Sequence, residues 1–146
     1  MRKIPNGLFF SYVESEIAAG HPVRFHLKGW SMFPLLRDSR DEVVLYPCNA
    51  RELVPMDVVL FRYDGRHLLH RIIRRNGDCL YVRGDGAFSA REQCVVDDVV
   101  GKVRFVIRPS GRHVSVDNWR WRLPGRLWRM TGIFRTPLLR ILRHLL

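Results

Sequence analysis

The pattern of apolar and polar positions predicts one short helix followed by a series of strands. Apolar side chains recur at helical spacing over residues 7–19, and Gly20 and Pro22 then end that pattern. The segments that follow are short and rich in Val, Ile, Leu and Phe, and they predict strands at residues 23–27, 42–46, 57–63, 68–74, 80–83 and 95–108. Turns that contain Gly or Pro separate most of them.

Two dipeptides between these segments mark tight turns. Asp64-Gly65 and Asn76-Gly77 favour two-residue hairpins, because these residue types accept the positive φ that such turns require. Short strands joined by tight turns are typical of antiparallel sheets. The predicted fold class is therefore mostly β, with an antiparallel, partly barrel-like domain over residues 21–117 and a short N-terminal helix before it.

Residues 119–146 follow a different pattern. Apolar side chains fall roughly at helical spacing, with seven arginines and no Asp or Glu among them. Pro124 can open a helix there, whereas Gly132 and Pro137 are expected to interrupt or kink it. The chain thus divides into a β domain with its N-terminal helix, residues 1–118, and a basic amphipathic helical tail, residues 119–146.

The charge of the chain is concentrated in this tail. The net charge is +11, and seven of these charges belong to residues 119–146. Interleaved arginine, tryptophan and leucine are typical of a helix that lies on an anionic bilayer, so we expect peripheral membrane association through the tail. No apolar run reaches the roughly 18 residues of a transmembrane span. The alternative is that the tail packs on the β domain. Nucleic acid is not the expected partner, because the rest of the chain lacks a recognition-helix signature and an aromatic-basic RNA motif.

Five short segments carry the candidate chemistry, and their order is characteristic. They are Gly29-Trp30-Ser31-Met32-Phe33-Pro34, Met56-Asp57-Val58-Val59, Leu69-His70-Arg71, Gly84-Asp85-Gly86 and Val99-Val100-Gly101-Lys102-Val103. This order resembles the type I signal peptidase superfamily, which also contains the self-cleaving LexA and UmuD proteins. The resemblance covers residues 27–106, most of the predicted β region.

The residue at the position of the catalytic base distinguishes two branches of that superfamily. The usual bacterial signal peptidases and the LexA-like proteins have a lysine base, whereas the archaeal and endoplasmic-reticulum type has histidine followed by arginine. This chain has His70-Arg71, and no lysine lies between Lys28 and Lys102. It therefore resembles the Ser/His branch.

The resemblance implies a serine peptidase in which Ser31 is the nucleophile and His70 is the general base. A serine hydroxyl needs a neighbouring base to take its proton, and a neutral imidazole suits that task. Asp85 is the candidate carboxylate that orients His70, and the backbone N–H of Ser31 is the candidate oxyanion donor. The implied substrate is a precursor or signal-type peptide cleaved through an acyl-enzyme, and no metal or cofactor is expected.

Each candidate also has an ordinary structural explanation. Ser31 can stabilise a turn, and Asp85 lies in a Gly-Asp-Gly sequence that is typical of turns. His67 is close enough to compete with His70, although positions 67 and 70 of a regular strand point to opposite faces. Glu92 is the first carboxylate after Asp85, so the third member of a triad stays open between these two.

The remaining motif residues are expected to be structural. Met56 takes the place of a glycine in the superfamily pattern, which we expect to be harmless variation within a strand. Asp57, Asp97 and Asp98 are expected to support the fold, and the three cysteines, which lack a CxxC spacing, to be inert. A function from a different class is a non-catalytic membrane- or nucleic-acid-binding module on the same fold. Self-cleavage of the LexA type is not favoured, because the lysine base is absent.

Overall fold

The described part of the chain contains an antiparallel sheet, a helix near the N-terminus and a helix near the C-terminus. The computed structural model describes residues 6–26, 41–84, 92–117, 127 and 135–145. Helix α1 spans Asn6–Ala18 and helix α2 spans Arg135–Leu145. The strands are β1 (Val23–His26), β2 (Glu42–Tyr46), β3 (Val58–Tyr63), β4 (Arg66–Asn76), β5 (Cys79–Arg83), β6 (Glu92–Val95), β7 (Val99–Ile107) and β8 (His113–Ser115).

The eight strands of the described residues belong to one sheet, and every pairing between them is antiparallel. Their order across the sheet is β1-β2-β7-β3-β4-β5-β6, and β8 pairs with β7 beside this path. Strands β1 and β6 are the two ends of this order, so the sheet is not closed within the described ranges. The predicted antiparallel, mostly β class with a short N-terminal helix and a C-terminal helix is confirmed. Closure into a barrel is not observed.

The sheet carries a separate apolar core on each of its two faces. The helix-covered face packs against α1, and its core consists of Val13, Ile17, Val23, Val43, Leu45, Val58, Leu60, Leu69, Val100, Val103, Val106 and Val116. The core of the second face consists of Leu53, Val59, Phe61, Ile72, Leu80, Val82 and Cys94. Strand β3 contributes to both cores because consecutive side chains point to opposite faces, which explains its uninterrupted apolar run over residues 58–61.

One predicted strand is in fact two separate strands. Residues 95–108 were expected to form a single strand, but β6 ends at Val95, a 3-10 turn forms at Val96–Asp98, and β7 begins at Val99. The carboxylate of Asp98 accepts a hydrogen bond from the backbone N–H of Val95 at 3.0 Å. This local contact offers the backbone an alternative to the strand and supports the structural role expected for Asp98.

Both predicted hairpins form, and one of them is shifted by a residue. Tyr63 pairs with Arg66 around the turn Asp64-Gly65, whose φ values of 50° and 72° are positive as such a turn requires. Asn76 pairs with Cys79, so the second turn is Gly77-Asp78 rather than the predicted Asn76-Gly77. Glycine is still needed there, because Gly77 has a φ of 60°.

Helix α2 has one buried side and one exposed side. Leu139 is fully buried, whereas Ile141 and Leu145 are 54% and 76% exposed. Pro137 lies in the first turn of α2, where a helix does not use the missing N–H. Gly132 lies outside the described residues, so the interruption expected in the tail stays a prediction. No helix of the described residues is both long enough and apolar enough to span a bilayer.

Candidate active site

His70 is a buried side chain on strand β4. It is 6% exposed and pairs across the strands with Val59 of β3. Directly opposite residues of an antiparallel pair point to the same face, and Val59 belongs to the core of the second face. His70 therefore lies on the second face, where its ring centroid is 5.7 Å from that of Phe61.

His67 lies on the opposite side of the same strand. Its ring stacks on Phe10 of α1, with the centroids 4.5 Å apart and the planes within 8° of parallel. Its Nε2 atom is 3.6 Å from a carboxylate oxygen of Glu14, also on α1. The prediction that positions 67 and 70 face opposite ways is therefore confirmed. His67 is a helix contact and does not compete with His70 on the second face.

Glu92 brings a carboxylate to His70. Ile72 pairs with Val82, and Val82 pairs with Glu92, so Glu92 shares the second face with His70. Glu92 Oε2 lies 3.0 Å from His70 Nδ1, and both side chains are largely buried. The two atoms are within ion-pair distance but do not meet the geometric criteria of a hydrogen bond.

The contact between these two groups decides what the imidazole can do. A carboxylate beside Nδ1 favours the tautomer that carries its proton on Nδ1, which leaves the lone pair of Nε2 available to accept a proton. The same carboxylate stabilises the imidazolium that forms when Nε2 is protonated. His70 and Glu92 therefore have the chemistry of a general base with an orienting acid.

A second pair of charged groups lies on this face and was not predicted from the sequence. Lys102 Nζ of β7 lies 3.2 Å from Asp57 Oδ1, and both side chains are more than nine-tenths buried. Asp57 Oδ2 also accepts a hydrogen bond from the backbone N–H of Val54 at 3.0 Å. The structural role expected for Asp57 is consistent with these contacts. In the sequence, Lys102 is marked only as a lysine within a largely apolar strand.

Arg71 holds the turn that precedes β3. Its side chain is almost completely buried, and its Nη1 donates a hydrogen bond to the carbonyl oxygen of Met56 at 3.0 Å. Met56 has a φ of 83°, in the left-handed region that favours glycine. Met56 lies in a turn and not in a strand, so the expectation of harmless variation within a strand is wrong.

Ser31 and Asp85 lie outside the described residues. The nucleophile, the oxyanion N–H and the first candidate for the orienting carboxylate therefore stay predictions. Strands β1 and β2, which precede and follow the segment of Ser31 in the sequence, pair with each other, and His26 lies opposite Glu42. Arg83, two residues before Asp85, pairs with Arg71, the residue that follows His70.

The cysteines of this chain are poor candidates for chemistry. All three are free thiols, and burial raises the pKa of Cys94 to about 12 and also raises that of Cys48. A thiol with a raised pKa supplies little of the reactive thiolate near neutral pH. Within the described ranges, no group of three or more His, Cys, Asp or Glu side chains is arranged to hold a metal ion.

The sequence was compared with protein-family models and with curated proteins. No protein-family model matches the sequence, and no curated protein matches it at a significant level. The function proposed below therefore rests on the residues, their geometry and the order of the motifs.

Proposed function

We propose that this chain is a serine peptidase of the signal-peptidase type, with Ser31 as the nucleophile and His70 as the general base. The observation that carries the proposal is the buried His70 ring with the Glu92 carboxylate 3.0 Å from its Nδ1 atom. A buried imidazole beside a carboxylate is the arrangement that activates a serine hydroxyl. The order of the motifs supports Ser31 as the nucleophile. It also supports membership of the signal peptidase superfamily and the partly barrel-like fold that this membership implies.

The reaction is peptide-bond hydrolysis in two steps. Ser31 Oγ attacks the scissile carbonyl carbon while its proton passes to His70 Nε2, and the backbone N–H of Ser31 stabilises the oxyanion. The tetrahedral intermediate expels the amine, which takes the proton from His70, and leaves an acyl-enzyme. Water then attacks the ester with His70 as base, which releases the acid and restores the serine. Glu92, with Asp85 as the alternative, orients the ring throughout.

The substrate is proposed to bind as an added extended strand. Strand β4 pairs with β3 along residues 66–71, but in the described part of the sheet β5 pairs with β4 only from Arg71 onward. An extended peptide that pairs with residues 66–69 of β4 would run toward His70. Small residues before the scissile bond are what the resemblance implies.

An anionic membrane surface is proposed as the site of action. Ile141 and Leu145 are exposed on α2, whose last turn also carries Arg143 and His144. Exposed apolar side chains beside basic ones are what an interfacial helix presents to anionic lipid. This placement would give the peptidase access to precursors at the membrane.

The test is cleavage of a library of signal-peptide-like substrates in anionic liposomes, followed by mass spectrometry. Wild type, Ser31→Ala and His70→Ala are compared with His67→Ala, the matched histidine on the opposite face. We expect Ser31→Ala and His70→Ala to lose cleavage and His67→Ala to retain it. Activity that survives Ser31→Ala would contradict the proposal. Liposome binding without cleavage by the wild type would favour the non-catalytic binding module.

A further inference from the structure

The Lys102–Asp57 ion pair has no role in the proposed chemistry, yet it lies close to His70. Lys102 pairs with Val59 on one side of β3, and His70 pairs with Val59 on the other side. Lys102 and His70 therefore lie on the same face and are separated by two strand spacings, about 10 Å between their Cα atoms. A buried lysine at that distance acts on the charge of His70 unless a carboxylate offsets it.

The backbone around Asp57 also holds the strand of His70. The backbone N–H of Ile72 donates to the carbonyl oxygen of Asp57 at 2.8 Å, and the N–H of Met56 donates to the carbonyl oxygen of Ile72 at 2.8 Å. Arg71 adds the side-chain hydrogen bond to Met56 described above. The two residues that follow His70 are thus attached to the turn that ends at Asp57, and Lys102 attaches that turn to β7.

We propose that the buried Lys102–Asp57 ion pair is a positioning device for His70, which fixes the place of its strand and balances the charge on its face of the sheet. The pair acts through the backbone and the electric field and does not touch the reacting atoms. Its effect on catalysis rests on the proposed function. Its effect on the protonation of His70 does not.

The charges around His70 set the direction in which a substitution shifts its protonation. The described charged groups around His70 include Glu92 of β6, Asp57 before β3 and Lys102 of β7. The buried Arg71 guanidinium, which bonds the carbonyl oxygen of Met56, keeps its charge in every variant compared below. Glu52 and Arg104 pair with each other at a more exposed position. Loss of the Asp57 charge leaves Lys102 uncompensated and disfavours the imidazolium, so His70 should protonate at a lower pH. Loss of the Lys102 charge has the opposite effect.

The experiment is an NMR titration of the His70 ring in the full chain. His70→Gln identifies its resonance among the six histidines. Asp57→Asn is expected to lower the titration midpoint of His70, and Lys102→Met is expected to raise it. Each shift should be about 0.5–1 pH unit, the size expected for charges about 10 Å apart at an effective dielectric constant of 20–40. Lys102→Arg, which keeps the charge, should retain the wild-type midpoint. Glu52→Gln, which changes the net charge by the same amount as Asp57→Asn, should leave it nearly unchanged.

The double variant Asp57→Asn/Lys102→Met covers the case in which a single variant fails to fold, because it leaves no unpaired buried charge. Its midpoint is expected to return toward the wild-type value, while kcat falls about 10- to 100-fold with little change in KM. Shifts of the same sign in both single variants, or no shift in either, would overturn the electrostatic part. A wild-type kcat in the double variant would overturn the positioning part.

The two proposals can be disproved separately. If the wild type cleaves no substrate, the peptidase proposal fails, and the titration still decides whether the ion pair controls the protonation of His70. The other case is that the wild type cleaves peptides and Ser31→Ala does not. If the titration midpoint of His70 is then unchanged in Asp57→Asn and Lys102→Met, the role of the ion pair is disproved while the peptidase proposal stands.

Discussion

At the scale of single residues, the contact between His70 and Glu92 bears on which carboxylate orients the proposed base. The sequence left Asp85 and Glu92 as alternatives for this role. The register through β5 places Glu92 on the face of His70, with its Oε2 atom 3.0 Å from Nδ1. That proximity favours Glu92 as the orienting acid, and it can be tested against Asp85 directly.

Glu92→Gln is expected to lower kcat by about 100- to 10,000-fold, because the ring loses the carboxylate that sets its tautomer and stabilises its charge. Initial rates on a cleaved peptide measure the effect. Asp85→Asn is run beside it, and Gln93→Ala on the same strand is the control that should keep wild-type activity. A large loss in Asp85→Asn together with normal activity in Glu92→Gln would assign the orienting role to Asp85 instead.

The backbone of Met56 yields a prediction about stability. A side chain at a φ of 83° is strained by about 1–2 kcal/mol, and glycine removes that strain at an entropic cost of about 0.5–1 kcal/mol. Met56→Gly is therefore expected to raise the free energy of unfolding by roughly 0.5–1 kcal/mol, measured by urea denaturation. Met56→Ala, which keeps the strain, should show no gain. Destabilisation by glycine would mean that the packing of the methionine outweighs the strain.

At the scale of elements, helix α1 is held on the sheet by apolar and charged contacts. Val13 and Ile17 are buried in the core of the helix-covered face. Glu14 pairs with Arg62 of β3 and lies near His67 of β4. The hydrogen bond from Arg62 lowers the pKa of Glu14 below its ordinary value of 4.5. A carboxylate with a lowered pKa contributes stability above its unfolded pKa, and that stability is lost as the pH falls through the lower, folded value.

Glu14→Gln is accordingly expected to destabilise the protein by about 0.2–1 kcal/mol at pH 7, a small amount because Arg62 is half exposed. The difference from wild type should shrink as the pH falls from 4.5 through the lower, folded pKa of Glu14, because the carboxyl is neutral in both states only below that value. Urea denaturation at several pH values measures it, with Glu16→Gln on the same helix as the charge-matched control. A difference that stays constant down to acidic pH would contradict the ion-pair explanation.

The bounds of the helices and strands show which local sequence patterns were sufficient to predict an element correctly. The strand at residues 42–46 and the start of α1 were predicted to within a residue, because hydrophobic periodicity is a local property. The division between β6 and β7 was missed, because Val95 and Val96 continue an apolar pattern through a turn held by Asp98. A side chain that bonds its own backbone is hard to recognise from apolar periodicity alone.

At the scale of the whole molecule, the exposed apolar side of α2 bears on where the protein acts. Ile141→Asn and Arg140→Gln are each expected to weaken binding to anionic vesicles, the arginine change by about fivefold for the loss of one basic residue near the surface. Co-sedimentation of the full chain measures the binding. Arg112→Gln, which removes the same charge in the β7–β8 turn, should bind as the wild type does. Equal losses in Arg112→Gln and Arg140→Gln would show that net charge, and not the tail, drives the binding.

The sequence by itself determined the mostly β class, the presence of the two hairpins, the N-terminal helix and the opposite orientation of His67 and His70. Each of these follows from spacing along a short stretch of chain, where neighbouring side chains alternate or repeat with a known period. Only the tertiary structure decided that Glu92 meets His70 and that Lys102 meets Asp57. These partners lie on different strands, and which strands become neighbours, and in what register, depends on non-local pairing that no local pattern contains.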